Sequence, residues 1–168
     1  MVDIVIVTHN SKGKLSRCLK SIDSHTKKTD YLLTVVNNGS TDNTARLLGN
    51  NKKKINVIDS KKNLGPSGGC NLAFKNTSNE FIVCLDDDAE VTKGWLSRLL
   101  SSINGNPEIG IVGCKLVYPD GRIFSAGYEI NPLYINAHGE IDKGQRDYIK
   151  ECDCLVKTCW IMRRSLLD

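Results

Sequence analysis

No run of apolar residues in this sequence approaches the ~20 residues that a bilayer-spanning helix needs. The N-terminus also lacks the basic start and the apolar stretch of a signal peptide. Both absences lead us to expect a cytoplasmic protein. A net charge of +4 is too small to indicate nucleic-acid binding, so we expect no nucleic-acid partner.

The composition is that of an ordinary globular protein, with 40% hydrophobic and 25% charged residues. A chain of 168 residues is long enough for one sizeable core, which predicts a single domain over residues 1–168. Seven cysteines is an odd number, and most of them stand in apolar patterns, where a free thiol packs as a small hydrophobe. We therefore expect reduced cysteines in the core.

Lysines cluster at Lys52 to Lys54 and again at Lys61 and Lys62. A solvated loop is the ordinary interpretation of such a run. The alternative is contact with an acidic membrane surface, worth about 1 kcal/mol per lysine near that surface. Peripheral contact of a full-length protein with the inner face of the membrane is therefore a second expectation.

The first half of the chain alternates short apolar runs with segments of helical period, which indicates βαβ units and a parallel sheet. We expect strands at DIVIVTHN, YLLTVVNNGS, INVIDS and EFIVCLDDD. The spacing predicts helices over Leu15 to Ile22, from Thr41 through Leu48, after a flexible turn over Gly65 to Gly69, and after Thr92 as a cap.

The second half, after Pro107, is more irregular. IGIVGCKLVYPDGRIF predicts two strands around a Pro-Asp-Gly turn, and residues 126–148 predict a loop-rich stretch. DCLVKTCWIMRR predicts a last strand, with the beginning of a helix after it.

Three adjacent carboxylates, Asp86, Asp87 and Asp88, follow the apolar run FIVCL. Neighbouring carboxylates repel by roughly 1 kcal/mol per pair in water and by more near a core, so a positive partner is expected. Since alternate residues of a strand share a side, Asp86 and Asp88 can face one ion while Asp87 turns away or reaches a neighbouring group. Oxygen ligands suit Mn²⁺ or Mg²⁺, with substrate phosphates completing the shell. Capping of the following turn by these acids is the structural alternative.

Polar clusters also follow the other predicted strands, at Thr8 to Asn10, at 37–42 and at 59–65. The carboxyl ends of parallel strands share one edge of a sheet, where ligands bind, so the clusters predict one site. Within it, Gly65 to Gly69 offers small residues that let a phosphate or sugar approach, with a plain turn as the alternative. The segment has neither a P-loop nor the G-x-G-x-x-G spacing of a dinucleotide fold.

Taken together, these motifs resemble the family 2 glycosyltransferases, which have the GT-A fold. The matching elements, in the family's order, are IVIVTHN, VVNNGSTDNT, NLGPSGGCN, CLDDDAEV, YPDGRIFSAG and WIMRR. They cover essentially the whole chain, and their spacing is most similar to the rhamnosyltransferase and galactofuranosyltransferase branches. The resemblance implies an α/β, Rossmann-like, mostly parallel sheet flanked by helices, with a mixed, loop-rich C-terminal half. Residues 1–105 would be the nucleotide-sugar-binding half and residues 106–168 the start of an acceptor-side half.

Carried onto this sequence, the resemblance implies a set of nucleotide-sugar-binding residues. His9 stands where the family often has a base-stacking tyrosine, and Asn37 stands in place of an aspartate that accepts the pyrimidine N3–H. Asp86 and Asp88 match the ends of the family's D-x-D and would hold the metal, while Asp86 or Asp87 would serve the ribose or the metal shell. The whole set is Thr8, His9, Asn10, Asn37, Asn38, Asp42, Asn63, Gly68, Gly69, Asn71, Asp86 and Asp87.

The implied activity is metal-dependent, inverting transfer of a sugar from a UDP- or dTDP-sugar to a hydroxyl of a saccharide or lipid-linked acceptor. Inverting members use a carboxylate base, often in a Glu-Asp pair beyond the Arg-Arg segment, and this sequence stops at Asp168 without such a pair. We therefore expect a fragment whose catalytic base is unknown, with Glu129, Glu140, Asp142 and Asp147 as solvated acids. The alternatives are a nucleotidyltransferase, for which THNSKGKLS offers only Lys12 and Lys14, and a non-catalytic nucleotide-sugar-binding module.

Overall fold

The computed structural model describes residues 1–27, 29–51, 55–130 and 137–167, together with the backbone of 133–135. Lys52 to Lys54 of the predicted basic run lie outside the described residues. Among the described residues, no helix combines the length and the apolar character that crossing a membrane requires.

The first half of the chain confirms the predicted alternation of strands and helices. In chain order its elements are β1 (Val2–Thr8), α1 (Lys12–His25), β2 (Tyr31–Asn38), α2 (Thr44–Gly49), β3 (Asn56–Ser60), α3 (Gly65–Phe74), β4 (Phe81–Asp86) and α4 (Trp95–Asn104).

The second half consists of short strands. They are β5 (Ile111–Gly113), β6 (Leu116–Val117), β7 (Ile123–Ser125), β8 (Tyr128–Ile130), β9 (Leu133–Ile135) and β10 (Cys159–Arg163), and a 3₁₀ turn follows over Arg164–Leu167. The predicted loop-rich stretch thus contains the hairpin β8–β9. The Pro-Asp-Gly turn joins β6 to β7 as predicted, with Gly121 at a φ of 85°.

The central sheet has six strands in the order β3-β2-β1-β4-β10-β5. The first four are parallel, while β10 runs antiparallel to both of its neighbours. Because β1 has β2 on one side and β4 on the other, the strand order reverses at β1, and a crevice forms beyond the strand ends at such a point. The register places Thr8 beside Asn37 and Val7 beside Asp86, so the polar strand ends meet there.

Both faces of the sheet are buried, which explains the unbroken apolar runs of the strands. On one face, α1, α2 and α4 pack their apolar residues against alternate strand residues such as Ile4, Ile6, Val35 and Val83. On the other face, Ala73 of α3 packs with Val5, Val36, Ile82, Cys84 and Met162. All seven cysteines are free, as expected, but only Cys18, Cys84 and Cys159 are buried in these layers. Cys70, Cys114 and Cys152 are partly buried and Cys154 is exposed, so the expected core position is wrong for these four.

The beginnings of three helices differ from the predictions. The helix α2 begins at Thr44, after Asn43, and not at Thr41. Gly65 to Gly69 form the first turns of α3 rather than a flexible turn, and Pro66 stands in the first turn, where its missing N–H is no loss. The helix α4 begins after Gly94, at a φ of 80°, and not at Thr92. The carbonyl of Thr92 instead accepts the N–H of Trp95 at 3.2 Å, which closes the preceding turn.

Arg163 of the WIMRR segment fixes β10 to its surroundings. Its guanidinium donates to the carbonyl of Ile103 at 2.7 Å and to that of Ile109 at 3.0 Å, around the C-terminal end of α4. The same group lies 5.4 Å from the centre of the Phe81 ring, at the start of β4. Arg163 of β10 therefore contacts both the C-terminal end of α4 and the start of β4, and it holds these three elements together.

Candidate functional site

A cleft of about 340 Å³ lies at the carboxyl ends of β1, β2 and β4. Five of the residues predicted from the sequence line it, namely His9, Asn38, Asn63, Asp86 and Asp87. The other lining residues are Val7, Ser11, Lys14, Gly65, Pro66 and Lys157. The cleft thus brings four charged side chains together with amides, an imidazole and the beginning of α3.

Asn10 shapes the rim of the cleft after β1. Its φ of 51° lies in the left-handed region, which asparagine tolerates better than most residues. Its Oδ1 accepts the backbone N–H of Thr41 at 2.7 Å, and its own N–H donates to Ser40 Oγ at 3.1 Å. These bonds tie the β1 end to the loop after β2, beside His9, whose Nδ1 lies 2.9 Å from the Asn38 carbonyl oxygen. A carbonyl can only accept, so Nδ1 carries the proton in this contact.

Asn38 holds the beginning of α3 against the sheet. Its Nδ2 donates to Asn63 Oδ1 and to the Gly65 carbonyl, both at 3.1 Å, and its Oδ1 accepts the N–H of Leu64 at 2.9 Å. The Asn63 Oδ1 also accepts the N–H of Gly65 at 2.8 Å. Because Asn38 is buried and its amide is used at both ends, its role visible here is to position the α3 N-terminus at the cleft.

Asn37 has both ends of its amide engaged as well. Its Nδ2 donates to Asp59 Oδ1 at 2.8 Å, and its Oδ1 accepts the N–H of Ser40 at 3.3 Å. Asp42 lies in the same loop, where its carboxylate accepts the N–H groups of Thr44 at 2.9 Å and Lys12 at 3.4 Å. The hydrogen bonds from Thr44, in particular, hold the pKa of Asp42 below its ordinary value. Asp42 thus links the starts of α1 and α2.

The acidic segment is arranged differently from the prediction. The strand β4 ends at Asp86, and Asp87 and Asp88 belong to the following turn, so the expected strand alternation between Asp86 and Asp88 is wrong. The reason is the pairing of β4, whose last partner on β1 is Val7, opposite Asp86. Asp86 and Asp87 line the cleft, whereas Asp88 is exposed at its side.

Two lysines pair with two of the three carboxylates, where the sequence predicted a divalent cation as the counter-charge. Lys157 Nζ lies 2.7 Å from Asp86 Oδ1, and Lys14 Nζ lies 3.1 Å from Asp88 Oδ2. Burial alone would lower the pKa of Lys157, but the hydrogen bond and the charge of Asp86 outweigh it and raise that pKa above its ordinary value. Lys157 is therefore a cation at neutral pH.

Asp87 has no such partner among the described residues, and burial raises its pKa above the ordinary aspartate value. The neighbouring Asp88 and Asp86 act in the same direction, while the nearby hydroxyls of Thr8 and Ser11 act against it. The Thr8 hydroxyl is buried and finds no partner of full hydrogen-bond geometry within the described residues, despite its place beside Asp87. Thr8 stands at the end of β1, as predicted, but its hydroxyl lies beside Asp87 and Thr8 is not among the residues that line the cleft.

Asp86 and Asp88 are the candidate ligands for the expected divalent cation. Among the described residues, no three His, Cys, Asp or Glu side chains converge on one metal position. Mg²⁺ commonly takes one or two carboxylates and completes its shell with phosphate and water, so Asp86 and Asp88 fit it in chemistry. Each of these two carboxylates already binds an ammonium group, however. Asp86 and Asp88 would therefore hold a divalent cation only together with a phosphate-bearing ligand, and only if Lys157 and Lys14 gave up these carboxylates.

The three remaining predicted residues lie along α3. They are not among the residues that line the cleft, and neither are Thr8, Asn10, Asn37, Asp42 and Asp88. Gly69 is buried against β1, where an added Cβ would lie 2.4 Å from Val7 Cγ1. Gly68 faces Leu64, and Asn71 is exposed. In the described arrangement, the small residues serve the close packing of α3 on the sheet.

Lys14, Lys157 and Ser11 line the cleft but were missed as binding residues in the sequence. Lys14 lies in the first turn of α1, shortly after the end of β1. The polar residues after that strand could therefore have indicated it as a cleft residue. Lys157 carried none, because it reaches the cleft only through the insertion of β10 beside β4.

A sheet that reverses its strand order at a polar cleft defines a ligand-binding α/β protein of the doubly wound class. The family model for glycosyl transferase family 2 matches residues 3–168, and the chain belongs to this family. It is 29% identical over 158 residues to the poly(ribitol-phosphate) beta-glucosyltransferase of Bacillus spizizenii, an alignment covering 74% of this chain and 25% of that protein. The chain spans less than half the length of the curated relatives it matches first.

Solved structures show the same fold. The mannosyltransferase PcManGT from Pyrobaculum calidifontis, in complex with GDP-Man and Mn²⁺, superposes with a TM-score of 0.73 at 17% identity over 99% of this chain and 45% of that chain. S. aureus TarS 1-349 in complex with UDP-GlcNAc gives 0.71 at 21% identity over 99% of this chain and 46% of that one. The fold class predicted from the sequence, GT-A, is confirmed.

Proposed function

We propose that the chain is the donor-binding part of a metal-dependent, inverting glycosyltransferase. Its substrate would be a UDP- or dTDP-sugar, and the sugar would pass to a hydroxyl of a saccharide or lipid-linked acceptor. The observation that carries the proposal is the cleft at the β1, β2 and β4 ends, where two carboxylates, two lysines and the α3 N-terminus meet. Family membership and nucleotide-sugar complexes of proteins with the same fold support it.

In this proposal the two sides of the cleft have different tasks. The nucleoside would lie over the β1 and β2 ends, with His9 and Asn10 against the base and Asn37 accepting its N3–H. The diphosphate would lie toward β4 and α3, since a helix N-terminus offers free N–H groups and a favourable dipole to an anion. Asn38 and Asn63 would act indirectly, because their hydrogen bonds hold that helix start in place.

A divalent cation held by Asp86 and Asp88, when bound with the donor, would supply neutralisation of charge on the departing diphosphate. The chain's own residues would do the rest of the donor-side work. Asp87 lies deeper than Asp88 and beside Thr8 and Ser11, a position suited to accepting a hydroxyl of the ribose or sugar.

No general base is assigned within these residues. Glu129, Asp142 and Asp147 are bound by Lys150 or Lys115, and Glu140 lies 3.9 Å from Arg146. Glu129, Glu140 and Asp147 are at least partly exposed, as predicted, but the Asp142 side chain is only 21% exposed beside Lys115, so it is not the solvated acid that was expected. Residues 1–105 would thus supply the donor site, and residues 106–168 would begin the acceptor side.

Calorimetric titration with UDP, dTDP and GDP, with and without Mn²⁺, tests the proposal. We expect Mn²⁺-dependent binding of UDP or dTDP, and a thermal stabilisation of about 2.7 kcal/mol at 100 times the dissociation constant. Asp88→Ala should remove the dependence on Mn²⁺. The matched control is Asp30→Ala, because Asp30 is exposed and precedes β2 at the opposite edge of the sheet. Absence of binding by every nucleotide, or an unchanged titration of Asp88→Ala, would refute the assignment.

A further inference from the structure

Two ion pairs bridge distant parts of the chain at the acidic segment. Lys157, just before β10, reaches Asp86, and Lys14, in the first turn of α1, reaches Asp88. The two pairs differ in exposure. The side chains of Lys14 and Asp88 are 58% and 48% exposed, whereas those of Lys157 and Asp86 are 50% and 29% exposed, so the difference lies in the Asp86 carboxylate. An exposed pair is screened by salt and weak, so the Lys157–Asp86 pair is the one that matters for the cleft.

We propose that Lys157 is a counter-ion that occupies the Asp86 carboxylate in the metal-free protein and moves to the donor diphosphate when a divalent cation binds. This inference rests on the proposed function, since it concerns the same site. It assigns a donor-binding role to a residue outside every motif of the sequence.

Competition for Asp86 follows from the distances. The Lys157 ammonium lies 2.7 Å from Asp86 Oδ1. A metal ligand distance is about 2.0–2.6 Å for Mg²⁺ or Ca²⁺, so a metal on that carboxylate would stand within a few ångströms of the ammonium. Two cations at that separation repel strongly near a protein interior. Lys157 must therefore leave Asp86 when the metal arrives.

The displaced ammonium stays in the cleft because its backbone is fixed. The carbonyl of Thr158, the next residue, accepts the N–H of Asp86 at 2.8 Å, so the base of the Lys157 side chain cannot withdraw. The four-carbon stem of lysine can swing its charge to another partner. Gly65 and Pro66, at the α3 N-terminus, line the same cleft. An anion bound there would offer Lys157 a new partner within the same cleft.

The net charge of the cleft makes binding of the metal depend on binding of the nucleotide. The cleft is lined by Asp86, Asp87, Lys14 and Lys157, whose charges nearly cancel. A divalent cation alone would leave the cleft with excess positive charge, whereas a cation with a nucleoside diphosphate would restore the balance. Lys157 therefore opposes binding of metal alone and favours binding of metal together with the diphosphate.

The test compares Lys157→Met, which keeps the apolar stem, with the wild-type chain and Lys157→Arg. Free Mn²⁺ is measured by electron paramagnetic resonance without nucleotide, and UDP binding is measured by calorimetry at saturating Mn²⁺. For Lys157→Met we expect Mn²⁺ to bind about fivefold more tightly and UDP about fivefold more weakly, each corresponding to ~1 kcal/mol. Lys157→Arg should bind both ligands nearly as the wild type does. Lys150→Met is the control, because Lys150 forms its ion pair with Glu129 outside the cleft lining.

In Lys157→Met the expected changes in Mn²⁺ affinity and UDP affinity have opposite directions, which distinguishes this role of Lys157 from a purely structural one. If Lys157 only fastens β10 to β4, Lys157→Met will lower the melting temperature and weaken both ligands together, and the inference is wrong. Unchanged Mn²⁺ affinity in Lys157→Met also overturns it. If the wild-type chain binds no nucleotide, the proposed function fails, while the Mn²⁺ measurement still decides whether Lys157 competes for Asp86.

Discussion

The Asn37 side-chain amide donates a 2.8 Å hydrogen bond to the carboxylate of Asp59 on the neighbouring strand. The two residues are direct partners in the parallel pairing of β2 with β3. Residue 37 is an amide here, at the place where the resemblance to the family implies a carboxylate. In the structure the Asp59 carboxylate lies on the adjacent strand. Because it accepts a hydrogen bond from the Asn37 NH₂ group, the Asn37 side-chain oxygen points away from Asp59.

Removing this acceptor should weaken nucleotide binding. In Asp59→Ala the Asn37 amide keeps only the long 3.3 Å bond from the Ser40 N–H, so its oxygen is held less firmly, and we expect UDP affinity to fall about five- to tenfold, or ~1–1.4 kcal/mol. Asp59→Asn is the matched control, because an asparagine oxygen can still accept the bond. Calorimetry at saturating Mn²⁺ measures both. Equal UDP affinities in the two variants would show that Asn37 does not depend on Asp59.

A methyl group at position 69 should destabilise the fold. The added Cβ of Gly69→Ala would lie 2.4 Å from Val7 Cγ1 and 3.3 Å from Asn38 Nδ2, so α3 must move away from β1. Overpacking of this kind costs about 1–3 kcal/mol. Urea denaturation followed by circular dichroism measures the loss.

Gly13→Ala supplies the control for that experiment. Gly13 lies within α1, and a Cβ there meets no atom within 4 Å among the described residues. Since alanine favours a helix over glycine by roughly 0.5–1 kcal/mol, Gly13→Ala should leave stability unchanged or raise it. Equal losses in both variants would contradict the close approach of α3 to β1.

Asp87→Asn should stabilise the protein at neutral pH. Burial raises the pKa of Asp87 in the folded state, so the fold prefers the protonated carboxyl. The contribution of this group is most favourable below the unfolded-state pKa and is lost as the pH rises through the folded-state pKa. The gain from Asp87→Asn should therefore be largest at neutral pH and should shrink on acidification.

Melting temperatures of the wild type and of Asp87→Asn, measured from neutral to acidic pH, test whether the gain in stability shrinks on acidification. Asp120→Asn is the opposite case, because Arg122 lowers the pKa of Asp120, and it should bring no gain at neutral pH. A gain from Asp87→Asn that grows on acidification would show that Asp87 is not the buried carboxyl described here.

Arg163 should matter for stability and not for donor binding. Arg163→Met leaves the carbonyls of Ile103 and Ile109 without their donor, and we expect a loss of about 1–3 kcal/mol in the free energy of unfolding. Below the unfolding transition, its UDP affinity should equal that of the wild type. Arg122→Met, whose arginine lies on the exposed β6–β7 turn, is the control in the same denaturation experiment. A change in UDP affinity would place Arg163 in the site instead.

The strands and most helices were predictable because their signals are local. The strands are buried on both faces and read as apolar runs, and Leu15, Cys18 and Ile22 mark the buried face of α1 at helical spacing. The beginning of α3 was not predictable in this way. GPSGG has little helix propensity, and the helix starts there because Asn38, from another strand, binds Leu64 and Gly65.

The candidate site likewise contains residues that local sequence predicts and residues that only the tertiary fold brings in. His9, Asn38, Asn63, Asp86 and Asp87 were found because each follows a recognisable strand and the topology gathers strand ends. The geometry of the acidic segment was missed, since the end of β4 depends on its pairing with β1. Lys157 could not be found from local pattern at all, because it comes to Asp86 from 71 residues away in the sequence.

The place of β10 has a consequence for how this protein emerges from the ribosome. Strand β10 lies between β4 and β5, yet it is made after the other five strands of the sheet, when more than seventy residues have followed β4. Until then the apolar edge of β4 stays open to pairing with any other chain, which is a recognised route to aggregation. During synthesis the nascent protein should therefore depend on chaperones, and a truncated product ending before Cys159 should accumulate in the insoluble fraction.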